Sequence, residues 1–125
     1  MKSQEFIKKL NDVQELMLQE KYKEAILLLG SLKEIEKQGD FDYNLTHRLY
    51  QLDSNSHSLY NQQVILKVIL TISQKTDSIT FAELNNLIKK QENLDIDISI
   101  LRREIEILVL RSLLSCKIEE NKIYF

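Results

Sequence analysis

The sequence predicts a mainly α-helical fold that closes with a small β-hairpin, and three observations carry that reading. Apolar residues recur at the 3.6-residue helical spacing over most of the chain. At the C-terminus Cys116 to Glu119 alternates with period two, and Lys122 to Phe125 does so in part. The 125 residues contain no proline and only Gly30 and Gly39, so few points along the chain break a helix.

The first helix runs from Ser3 to about Gln19, with Phe6, Ile7, Leu10, Val13 and Met17 on its apolar face. Glu20-Lys21 links it to a second, from about Tyr22 to Lys37, which buries Tyr22, Ala25, Ile26, Leu29 and Leu32. So short a connection predicts a helical hairpin. Gly39 is placed to end the second helix as a C′ residue. A third helix is expected from about Asp42 to Leu52, carrying Leu45, Leu49 and Leu52. Asp53 to Ser58, the most polar stretch, then reads as a boundary. The fourth, about Leu59 to Lys75, is apolar on several faces through Val64-Ile65-Leu66 and Val68-Ile69-Leu70, which predicts a central position.

From Ser78 onward the order is strand, helix, turn, helix, hairpin. Ser78 to Thr80 is the strand. Thr80 and Glu83 form a capping box for a helix from Phe81 to about Asn93, with Phe81, Leu84, Leu87 and Ile88 inward. Lys89 and Lys90 suit its C-terminal turn, and Asn93 suits a left-handed cap. Asp95 or Asp97 supplies an N-cap oxygen for the next helix, Ile98 to Ser115. Cys116 to Glu119 and Lys122 to Phe125 pair across a tight turn at Glu120-Asn121, with Asn121 able to take positive φ. A helix-turn-helix followed by a hairpin wing is the winged-helix order. The whole chain therefore reads as N-terminal helical hairpins (residues 1–76) packed on a C-terminal winged-helix domain (residues 77–125) with a small β-hairpin wing, sharing one core. Leu29, Ile65, Ile69, Leu84, Leu101, Ile105 and Leu108 are expected among the most buried residues.

Composition limits what such a chain does. At this length roughly two-thirds of the unfolded surface is buried, enough for a core without staples. A lone Cys116 cannot form an intramolecular disulfide, and no CxxC pair suggests a metal. His47, His57 and Cys116 are read as two surface imidazoles and a buried strand thiol rather than as a nucleophile with its base. Neither glycine opens a phosphate-binding loop. The charged N-terminus and the lack of a long apolar run predict a soluble, cytoplasmic protein without a membrane span. No catalytic residue, metal, cofactor or small-molecule substrate is expected.

Two binding roles remain. Residues 77–125 hold seven basic against nine acidic side chains, and the whole chain is at −2, which is poor for phosphate binding. Arg102 and Arg103 lie where a recognition helix reads bases, and Lys117 and Lys122 lie on the wing, so these four form the nucleic-acid alternative. The other role rests on a surplus of apolar surface. On the Ile98–Ser115 helix, Ile98, Leu101, Ile105, Leu108, Val109 and Ser112 make one stripe. Ile100, Ile107, Leu110 and Leu114 make a second, which either packs on the N-terminal helices or remains exposed to a protein partner, a second copy included.

The run Arg103-Glu104-Ile105-Glu106-Ile107-Leu108-Val109-Leu110-Arg111, continued by Leu114-Ser115-Cys116-Lys117-Ile118-Glu119-Glu120, resembles the acidic helix and small wing of the PCI family. That family supplies scaffold subunits of the proteasome lid, the signalosome and eukaryotic translation initiation factor 3. The resemblance implies a non-catalytic scaffold or adaptor role. Lys21 to Leu29 is similar to the second half of a tetratricopeptide-like repeat, present once. A generic winged-helix adaptor of the kind found in membrane-sorting complexes fits the same residues.

Overall fold

The computed structural model describes residues 1–125 as five helices and one three-stranded antiparallel sheet. In chain order these are α1 (Ser3–Leu18), α2 (Tyr22–Gln38), α3 (Tyr43–Ile72), β1 (Ser78–Thr80), α4 (Phe81–Glu92), α5 (Ile98–Leu110), β2 (Lys117–Glu119) and β3 (Lys122–Tyr124). The chain divides into two compact units, Met1–Tyr60 and Asn61–Phe125, with the division inside α3.

In the first unit α1 and α2 pack together across a three-residue reversal. Glu20 takes φ of 62°, its N–H donates to the Met17 carbonyl (3.0 Å), and the Lys21 N–H donates to the Leu16 carbonyl (2.9 Å). Those two bonds complete a Schellman ending without a glycine. Phe6, Leu10 and Val13 of α1, Ala25, Leu29 and Leu32 of α2, and Leu49 and Leu52 of α3 form the core. Phe6 also stacks on Phe41, ring centres 4.4 Å apart.

Gly39 does not supply the left-handed C′ turn expected of it, since its backbone is extended (φ −111°). Its role is steric. A Cβ here would sit 2.5 Å from the Phe41 ring, so glycine permits the close approach of that ring. Asp42 then starts α3 by accepting from the Asn44 N–H at 2.9 Å, a capping contact.

The expected break at Asp53–Ser58 is absent: a single α3 replaces the third and fourth helices read from the sequence. Ser, Asn, Asp and His cost only a few tenths of a kcal/mol each in a helix. Tertiary contacts outweigh that here. Lys33 reaches Asp53 at 3.0 Å, and Thr46 Oγ1 donates to Glu36 at 3.2 Å. Arg48 ties α3 to α1 by donating to Asn11 Oδ1 (2.7 Å) and Gln14 Oε1. No helix is long and apolar enough to cross a membrane.

The second unit takes the rest of α3, where Val64, Ile65, Val68, Ile69 and Ile72 are buried. α4 begins as read: Thr80 Oγ1 accepts from the Glu83 N–H at 3.1 Å while Glu83 reaches back to the Thr80 N–H. Asn93 ends it at φ 53°. Thr80→Ala removes the cap acceptor and is expected to cost about 1 kcal/mol, measured by urea denaturation. Asp97 occupies the N-cap position of α5 but its carboxylate makes no capping bond, and Asp95 lies 3.9 Å from Lys89 instead.

β3 is the central strand, with β1 and β2 antiparallel on either side. The register aligns Ile79, Ile123 and Ile118 in one row across the sheet. Ile79 and Ile123 are buried, and α4 packs next to β1. In the hairpin turn Glu120, not Asn121, has positive φ (54°). Positive φ at the first central residue alone is the type II′ pattern. All seven residues expected in the core are buried to 1% exposure or less.

Candidate interaction surface

α5 presents its buried face through Leu101, Glu104, Ile105 and Leu108, the i, i+3, i+4, i+7 set. Glu104 is fully buried among them. Its spacing from Leu101 and Leu108 was the available signal. Ile98 leaves the expected core stripe and is 47% exposed, and Ser112 is exposed as well.

The helix ends at Leu110 rather than at Ser115. The Ser112 N–H donates to the Val109 carbonyl and the Leu113 N–H to the Leu108 carbonyl, both at 3.0 Å, with Ser112 at φ 60°. This second Schellman ending turns the chain out of the helix. Leu114 therefore does not continue the stripe of Ile100, Ile107 and Leu110. Ile100, Ile107 and Leu114 are half-buried, whereas Leu110 is 83% exposed. Leu113, which the stripe did not include, is 48% exposed. Since left-handed backbone is strained for a residue with a Cβ, Ser112→Gly is expected to stabilise the chain by about 1 kcal/mol in thermal unfolding.

Beside this helix end lies an open concavity of about 480 Å³, lined by Val109, Ser112, Leu113, Leu114, Ser115 and Cys116. Burial raises the Cys116 thiol pKa above its ordinary value, which keeps the thiol neutral. Arg111 donates to Gln62 Oε1 at 2.5 Å.

The four cations of the nucleic-acid alternative are all engaged within the chain. Arg102 bonds the Glu120 carbonyl (2.7 Å) and Glu106 (3.2 Å), and its guanidinium stands 5.2 Å from the Phe81 ring centre. Arg103 lies 3.6 Å from Glu104, Lys117 3.1 Å from Glu119, and Lys122 5.9 Å from the Tyr124 ring centre. Arg102 alone joins the hairpin turn to the starts of α5 and α4, while the contacts of Arg103, Lys117 and Lys122 stay within their own elements.

The imidazoles have ordinary surroundings: His47 stacks on Tyr43, and His57 lies 3.4 Å from Asp53. One feature of the first unit escaped sequence reading. Met17, Leu18, Leu52 and Leu59 line a groove of about 570 Å³ rimmed by Asn11, Gln14, Glu15 and Asn55. Only the paired apolar residues at the end of α1 hint at it.

In comparison with known proteins, the chain matches no family model, no curated protein and no solved structure.

Proposed function

We propose that this chain is a non-catalytic protein–protein interaction module, a winged-helix scaffold or adaptor subunit of PCI-like type, acting in the cytoplasm. The observation that carries the reading is Leu110, 83% exposed at the end of α5 beside the exposed Leu113. Two large apolar side chains exposed together at one helix end suit a partner surface. The winged-helix assignment is supported by the order helix, strand, helix, helix, strand, strand over the second unit, with sheet order β1-β3-β2. The PCI-like part of the reading rests on the residues of α5 and the wing.

A photo-crosslinking residue placed at 110 in cells tests the module. Discrete adducts with other proteins are expected from position 110 and none from Leu27, another exposed leucine, on α2. Equal or absent adducts at both positions would count against the reading.

A DNA-binding regulator is the second reading, favoured by Arg102 and Arg103 near the start of α5. Their partners inside the chain weigh against it, because each would have to be exchanged for a phosphate or base. A salt titration with random duplex DNA separates the two. Binding is expected to stay weaker than micromolar at physiological salt. Tighter binding with a steep salt slope, abolished by Arg102→Glu and Arg103→Glu, would favour the regulator.

A further inference from the structure

We propose a separate interaction surface on α2, independent of the end of α5, through which two copies of this chain pair antiparallel about a two-fold axis at the level of Leu28 and Leu29. The face runs through Lys23, Leu27, Gly30, Ser31 and Glu34 at helical spacing. All five are exposed, on the side of α2 opposite the buried Ala25, Leu29 and Leu32.

Three observations select the second copy as occupant. The eight charged residues from Glu20 to Lys37 are mirrored about that axis with opposite sign: Glu20 with Lys37, Lys21 with Glu36, Lys23 with Glu34, and Glu24 with Lys33. Lys33 and Glu36 are already engaged by Asp53 and Thr46 of α3, so the exposed Lys23 and Glu34 carry the contact, which symmetry makes twice. The same pairing sets Leu27, 68% exposed, against Gly30 of the other copy. Gly30 lies inside a helix, where glycine is less favourable than alanine, and a Cβ there would meet nothing within 4 Å. No neighbour in the chain uses that space, and the Leu27 side chain of the second copy fills it.

The register follows from the same residues. A parallel pair would set Lys23 against Lys23 and Glu34 against Glu34. Sliding the antiparallel pair by one turn would set Glu34 against Leu27 or against Glu20. Glu34 lies 3.4 Å from Lys37, but both side chains are in solvent, and such a pair is exchanged at little cost.

One helix face is small beside the roughly 800 Å² per partner of a standard interface, so the dimer is weak, with Kd of about 10–500 μM. Sedimentation velocity on the full chain from about 5 to 500 μM reads it directly. The weight-average coefficient is expected to rise to that of a dimer and no further. Glu34→Lys should weaken the dimer about fivefold or more. It does so although it brings the net charge from −2 to zero, which would favour an unspecific association. Lys23→Glu should weaken it likewise, and the chain carrying both exchanges should recover most of the affinity. Gly30→Leu should weaken it at least as much by filling the gap, while raising the thermal midpoint of the dilute chain, because leucine is the better helix former. Should a charge reversal disturb folding, Glu34→Gln or Lys23→Gln replaces it, with a smaller shift in the same direction.

A chain that stays monomeric throughout, a dimer indifferent to Glu34→Lys, or a double exchange without recovery overturns the inference. A dimer weakened by Leu110→Ser but not by Gly30→Leu places self-association at α5 and overturns it too. Each of these failures leaves the module reading, which is tested from position 110, standing.

Discussion

Ile123→Ala is expected to destabilise the second unit by about 3 kcal/mol, one of the two largest effects of any single truncation considered for this chain. The side chain is fully buried on the central strand and aligned with Ile79 and Ile118 on its two neighbours. Truncation removes three carbons from the core and opens a void that the backbone ladder on both sides prevents from collapsing. Urea unfolding followed by far-ultraviolet circular dichroism measures the loss. Tyr124→Ala, one residue on and facing solvent, serves as the control and should change stability by less than about 1 kcal/mol. Similar losses for the two would mean that the sheet does not bury the face described.

The second large effect belongs to the first unit. Phe6→Ala should cost about 4 kcal/mol, because the ring is fully buried and is also stacked on Phe41. Phe6→Leu retains most of the volume but not the stack, and about 1–2 kcal/mol is expected for it. The difference between the two variants, read from urea midpoints at constant slope, isolates the volume from the aromatic contact. Because Gly39 lets Phe41 come close, Gly39→Ala should also lose part of the stack.

Where the cause of a local structure lies within a few residues, the sequence was readable. Thr80 and Glu83 satisfy each other three residues apart, so the start of α4 follows directly. Alternation around Ile118 and Ile123 gave the hairpin and its pairing. Readings failed where a distant contact or an atypical residue decided the outcome. Asp53 to Ser58 looks like a loop until Lys33 reaches Asp53. Ser112 and Glu120 adopt positive φ without the glycine that usually announces it, so the sequence places the end of α5 too late and the positive-φ turn residue one place off. That late ending carried Leu114 into a helical stripe to which it does not belong. Leu110 lies on α5 far in angle from Leu101, Ile105 and Leu108, but the sequence leaves open whether the N-terminal helices cover it. Leu113 was hidden because its exposure depends on the turn.

The continuity of α3 has a consequence for how the backbone amides lose their protons to solvent. A break at Asp53–Ser58 would leave the last carbonyls of one helix and the first N–H groups of the next without helical partners. Deuterium would then enter those amides within seconds, as it enters fraying ends. In an unbroken helix each of them donates to a carbonyl one turn back, and release waits for a local opening. The amides of residues 53 to 58 should therefore exchange as slowly as those of Leu49 and Leu52, despite the most hydrophilic side chains in the chain. Slow exchange in that stretch would mark it as an interior turn of a long helix, and a cleavage-resistant one. A protease seeking a polar linker would find no extended strand of backbone there to grip.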